Sequence, residues 1–189
     1  MGPVGPSRCP WADSSESMRD YHDHEWGVPS RDDTHLFEML LLEGAQAGLS
    51  WSTILGKREN YRQALDGFDP DRIVHYDEAK LASLLANPGI VRNRLKVRAT
   101  VTNARAFLAT REEHGTFASY LWAWVDDTPV VNRPESMADL PSRADLSDAI
   151  AKDLKRRGFT FVGSTIIYAY LEAVGVVDDH LVGCPAKPG

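Results

Sequence analysis

Residues 36–51 read LFEMLLLEGAQAGLSW, an apolar stretch in which the carboxylate of Glu43 stands where a core residue is expected. At about 100° of rotation per residue, Leu36, Leu40, Glu43 and Ala47 share one stripe and Trp51 lies one turn beyond Ala47, so the spacing predicts a buried helix that Gly48 weakens near its end. Taking an ionised carboxylate out of water costs several kcal/mol unless hydrogen bonds or a positive charge compensate. Glu43 therefore asks for a partner. In the plain structural reading it bonds to a neighbouring helix terminus, or its face turns partly to solvent. In the functional reading the acid lines a dry pocket with Trp51 as a flat wall, suited to a planar ligand that is cationic or rich in N–H donors.

Outward from this stretch, a chain of 189 residues with 43% apolar and 25% charged side chains has the balance of an ordinary globular protein with a real core. One compact domain spanning residues 1–189, or two small lobes, is expected. The net charge of −6 offers no overall attraction to a polyanion. Between Ala79 and Arg111, however, there is no acid, while Lys80, Arg92, Arg94, Lys96, Arg98, Arg105 and Arg111 are basic. Such a run is either a local attraction for phosphate or a solvated helix face whose acidic partners sit on other helices. The start, MGPVGPSRCPW, has no apolar core behind a basic head, and no run of about 18 apolar residues occurs, so a cytoplasmic protein without membrane contact is expected. Cys9 and Cys184, near the two ends, admit one disulfide, which a reducing cytosol disfavours.

Taken in order, residues 2–17 read as irregular chain, and Tyr21, His22, His24 and Trp26 crowd a turn-rich segment ended by Gly27 and Pro29. Asp32, Asp33 or Thr34 caps the following helix. Lys57 to Leu65 reads as a short helix, Asp69-Pro70 as the cap and first position of the next, and residues 77–86 as a fourth. After Asn87-Pro88-Gly89, Val91, Leu95, Ala99, Thr102 and Ala106 mark a longer helix. Phe117 to Val125 reads as a core helix, residues 129–141 as a loop, Ser142 to Arg157 as a helix with a basic last turn, and Gly163 to Val174 as the last helix.

Three constellations carry chemistry. In the first, N–H groups after Gly89 at a helix start, with Arg92, Arg94 and Lys96 nearby, match the helix-hairpin-helix device that grips one DNA strand through its phosphates without reading bases. In the second, Cys9 with His22 or His24, and His180 with Cys184 in an H-x3-C spacing, offer the thiolate and imidazole donors of a closed zinc site that would tie the two termini together. Lone Cys and His residues are more often packing residues. The third gathers Trp11, Tyr21, Trp26 and Trp51 around Glu43, a cage of rings with one acid that suits a flipped, electron-poor base.

Together these features resemble the 3-methyladenine DNA glycosylase I family of the helix-hairpin-helix glycosylases. The resemblance rests on RCPW at 8–11, YHDHEWGVP at 21–29, LFEMLLLEGAQAGLSW, KRENYR at 57–62, FDP at 68–70, GIVRNRLK at 89–96, NARAFL at 103–108, KRRGFTFVGSTI at 155–166 and DDHLVGC, and so extends over nearly the whole chain. It implies an all-α, two-lobed fold with a hairpin at about 77–107, and a structural zinc held by Cys9, His22, His180 and Cys184. It further implies monofunctional hydrolysis of the N-glycosidic bond of 3-methyladenine in alkylated double-stranded DNA by a monomer. Glu43 and Tyr21 would hydrogen-bond the extruded base and Trp51 would stack on it. Trp11, Trp26, Gln46 and Met18 would shape the pocket, and Gly89, Val91, Arg92, Arg94 and Lys96 would meet DNA phosphates. Met18 stands where the family often has a tyrosine, and Leu95 where a glycine is common. A zinc deaminase would need an H-x-E with P-C-x-x-C, which is absent. The stronger alternative is a zinc-stapled DNA-binding module without catalysis.

Overall fold

The computed structural model describes residues 8–186 and is mostly helical. What the sequence suggests for residues 1–7, an irregular start, lies outside the described residues. A 3-10 turn, Pro10–Ser14, leads into α1 (Glu16–His24), which Ser15 caps by accepting from the Met18 N–H at 3.2 Å. Tyr21 and His22 thus sit on a helix, where sequence reading expected turns; the Ser15 cap starts it and Gly27, beyond its end, stops it. Then follow α2 (Asp33–Gln46), α3 (Trp51–Ala64), α4 (Pro70–Ile73), α5 (Glu78–Ala86), α6 (Arg94–His114), α7 (Phe117–Trp122), α8 (Asp145–Arg156) and α9 (Ser164–Ala173).

The core is built around α2, whose residues Leu36 to Ala45 are all buried and which packs on α3, α6, α7 and α9. Asp32 caps it, accepting from Thr34 and His35 N–H at 2.8 and 3.1 Å, while the Asp33 carboxylate reaches across to the N–H groups of Phe117 and Ala118 and so anchors the start of α7. The helix is shorter than the periodicity suggests. It ends at Gln46, the chain turns through Gly48 at φ +80°, and Trp51 opens α3 under a Ser50 cap. A positive φ favours glycine, which is why the turn falls there.

Burying α2 on every side buries two acids, and the chain treats them differently. Glu38 accepts from Arg58 Nε at 2.7 Å and Arg62 at 2.8 Å, and Arg58 also clamps Glu25, which His35 bonds at 2.8 Å. Burial pushes Glu25 up, but its bonds from His35 and Arg58 outweigh this and hold it down at about 2. Glu43, 4% exposed, has no such partner among the described residues.

The segment expected to be a loop at residues 129–141 carries β1 (Val130–Val131), paired parallel with β2 (Val177–Asp178) in the register Val130 to Val177. Two residues per strand leave no alternation to read. This pairing and a 3-10 turn at Met137–Asp139 lay the segment beside α9 and β2.

Candidate active site

Glu43 lies in the wall of a cleft of about 340 Å³. Its floor comes from α1 and the turns on either side of it, through Trp11, Met18, Tyr21 and Trp26; α2 brings Glu43 and Gln46, and α3 brings Trp51. Met137, Leu140 and Pro141 close another side, and α9 contributes Ala169 and Glu172. All seven residues assigned to base binding from the sequence thus meet in one place, although Trp51 arrives on a separate helix. The rings stand as walls rather than a stack: Trp11 and Trp26 meet edge to face at 5.0 Å and 80°, and Tyr21 and Trp51 lie 5.4 Å apart at 47°. Trp51 Nε1 is buried without a hydrogen-bond partner among the described residues.

Neither plain structural reading of Glu43 holds. It is not solvated, and no helix terminus or cation answers it among the described residues. Burial alone therefore pushes its carboxyl up to about 8, and at neutral pH the group rests as the uncharged acid. Tyr21 rises too, from burial first and then from the charges of Glu43 and Glu25.

Against this cage packs a buried cluster. Cys9, His22 and Cys184 bring one sulfur or ring nitrogen each to within 4.8 Å of one another, with His22 Nε2 at 3.5 Å from Cys184 Sγ. The His180 ring lies 4.9 Å from that of His22 and 4.6 Å from that of Trp26, and its Nε2 is buried with no partner among the described residues. Both imidazoles use Nδ1 on a carboxylate, His22 on Asp23 at 2.8 Å and His180 on Asp178 at 2.7 Å, which turns each Nε2 inward. His24 instead is exposed and bonds back to Asp20, which closes that alternative, and both cysteines are free.

Residues 11–187 match the family model described as methyladenine glycosylase. The chain belongs to the methyladenine glycosylase family. DNA-3-methyladenine glycosylase 1 of Escherichia coli K12 is 44% identical over 182 residues, 96% of this chain and 97% of that one. A crystal structure of a 3-methyladenine DNA glycosylase I superposes with a TM-score of 0.93 at 47% identity, covering 96% of this chain and 100% of the other. A variant of such an enzyme, in complex with 3-methyladenine, gives a TM-score of 0.93 at 36% identity over 96% of this chain and 97% of its own.

In this methyladenine glycosylase the basic segment divides into two kinds of residue. Lys80, Arg98 and Arg111 pair with Asp66, Glu78 and Asp71, so for them the solvated-face reading is right. Arg92, Arg94 and Arg105 are exposed with no ion pair among the described residues. Lys96 departs from its expected place at a phosphate. Its ammonium donates to the carbonyls of Ala45 and Ala47 at 2.8 and 2.7 Å and so satisfies the end of α2 below the cleft. The Gly89 and Val91 N–H groups, expected to face outward, are taken as well: Asn87 Oδ1 accepts the first at 2.8 Å and the Tyr61 hydroxyl oxygen the second at 3.1 Å. A Cβ at Gly89 would crowd Asn87 Oδ1 at 3.0 Å and the Asn60 side chain at 3.1 Å. Leu95 is 69% exposed in the first turn of α6 beside Arg94.

Sequence reading missed Met137, Leu140, Pro141, Ala169 and Glu172 in the lining of the cleft. Glu172 adds a second acid to the cleft. The exposed Leu49, in the turn that separates Glu43 from Trp51, lines a neighbouring hollow that shares Glu43, Gln46 and Ala169 with the cleft.

Proposed function

We infer that this glycosylase extrudes 3-methyladenine from alkylated double-stranded DNA, reads it in the Glu43 cleft and hydrolyses its N-glycosidic bond, a step of base-excision repair. The observation that carries this is Glu43, a buried carboxyl with no partner of its own in a cleft walled by Tyr21 and three tryptophans. Methylation at N3 leaves the adenine in DNA with a formal positive charge, so the base departs neutral and needs no general acid. A cation beside Glu43 favours its ionised form, and the acid gives up its proton as the base enters. Ordinary adenine brings no charge to offset that ionisation and is bound less well. Trp51 offers a π-face and the Tyr21 hydroxyl a polar contact. No lysine lines the cleft, which suits hydrolysis without Schiff-base lyase chemistry.

Arg92 and Arg94, around the turn between α5 and α6, would hold the DNA backbone, in a helix-hairpin-helix role carried by side chains rather than by the Gly89 and Val91 N–H groups. Cys9, His22, His180 and Cys184 fit a closed four-ligand zinc centre, by the chemistry of the donor set and by the orphaned His180 Nε2. Its part is structural, fastening the segment that bears Trp11 and Tyr21 to the C-terminal turn.

The alternative, a zinc-stapled DNA-binding module, would have no use for a free base. Three tryptophans line the cleft and report on its occupancy. Free 3-methyladenine is expected to quench tryptophan fluorescence saturably. A protein that binds DNA but shows no response to the methylated base would favour the module.

A further inference from the structure

Arg58 does not line the cleft, yet it ties together the helices that do. On α3 it stands seven residues after Trp51, two turns along the same side of the helix. Its Nη1 and Nη2 donate to the two carboxylate oxygens of Glu25 at 2.7 and 2.8 Å, and its Nε donates to Glu38 of α2 at 2.7 Å. Glu25 caps the end of α1. Its N–H and that of Trp26 both donate to the Tyr21 carbonyl, at 3.0 and 2.9 Å, so a carboxylate held by Arg58 fixes the turn that joins Tyr21 to Trp26. His35, in the first turn of α2, bonds the same carboxylate at 2.8 Å. One guanidinium, on a side chain 16% exposed, thus spans the three helices that bring Tyr21, Glu43 and Trp51 to the cleft. Arg62, one turn further along α3, makes the contrast. It reaches Glu38 at 2.8 Å and Glu59 of its own helix at 2.7 Å, and among the described residues it has no bond to α1.

We propose, on the base-excision reading of the cleft, that Arg58 is a positioning residue whose clamp on Glu25 holds Tyr21 at a fixed setting against Trp51 and so keeps the cleft shaped for a planar base before one arrives. The Tyr21 and Trp51 rings meet at 5.4 Å and 47°, and their setting follows that of the helices beneath them. A planar guanidinium holds both oxygens of Glu25 and one of Glu38 at once, which an ammonium, a point charge on a flexible stem, does not. With the clamp loosened, the base has to order the two walls as it binds, and affinity falls by that cost.

Arg58→Lys keeps the positive charge between Glu25 and Glu38 and loses the fork. Quenching of tryptophan fluorescence by free 3-methyladenine should then show about tenfold weaker affinity, and single-turnover release should slow by about tenfold, while affinity for unmodified duplex DNA stays within about twofold of wild type. Glu25→Gln cuts the same clamp from the other side and should give a similar loss, and the double variant should lose no more than the larger single loss. Arg62→Gln breaks the part of the network that does not reach α1; it should cost thermal stability and leave base affinity within about twofold of wild type. A folded Arg58→Lys or Glu25→Gln protein, by its circular dichroism, that keeps wild-type base affinity overturns the positioning role, as does an equal loss in Arg62→Gln or a double variant whose losses multiply. A wild-type protein whose fluorescence does not respond to the base overturns the reading of the cleft itself, and the role of Arg58 with it.

Discussion

Glu43→Gln is expected to lower single-turnover release of 3-methyladenine by about a hundredfold, the scale of losing one charged hydrogen bond in a dry site. The amide keeps the shape of the acid but cannot ionise, so it gives no preference to a cation. The same substitution should stabilise the protein at alkaline pH. The folded carboxyl sits at about 8, against 4.5 for an ordinary glutamate. Between those values the folded state holds a proton that the unfolded state has lost. Stability tied to the protonated group is complete below 4.5 and drains away as pH rises through about 8. An amide loses nothing over that window. Thermal unfolding should find Glu43→Gln more stable than wild type at pH 9 by roughly 2–5 kcal/mol, with the gap closing toward pH 5. A variant equally active, or less stable at pH 9, would remove Glu43 from the role assigned to it.

Cys184→Ser should act on the opposite quantity. Cys184 is 4% exposed and its sulfur is 3.5 Å from His22 Nε2, so an oxygen there weakens the whole donor set. Loss of one zinc per chain is expected together with roughly 3–5 kcal/mol of stability, a fall of about 10 °C in Tm for a chain of this size. His22 and His180 pack on Trp26, and His22 on Trp11, so base release should fall as the cage loosens. Chelation of the wild-type protein should reproduce the drop. A metal assay that finds no zinc in wild type, or a Cys184→Ser protein with unchanged Tm, would refute the clip.

Part of the cleft was legible in the sequence because some of its residues broke a local rule. Glu43 is an acid on an apolar face, and Trp11, Tyr21 and Trp26 crowd segments read as irregular or turn-rich, whereas Gln46 and Met18 came only from the family resemblance. Geometry was less legible. Periodicity carried α2 through Gly48 to Trp51, because apolar spacing continues across a turn whose function is to bring two helices to one cleft. The phosphate device was misread at Gly89, Val91 and Lys96, since nothing in the sequence says that Asn87, Tyr61 and the end of α2 would take up those donors. Glu172 stood in an apolar run, AYLEAVG, within the predicted last helix, by the same logic that singled out Glu43. Glu38 shows why an acid in such a run is not sufficient by itself: two arginines from α3 answer it, and it belongs to the framework.

The claim on which the rest depends is that the Glu43 cleft performs base excision. Duplex DNA labelled by methylation, incubated with excess protein, reports it directly through the appearance of free 3-methyladenine. The wild-type protein should release that base to completion. Tight binding to the same duplex with no free base above the spontaneous rate would contradict the account.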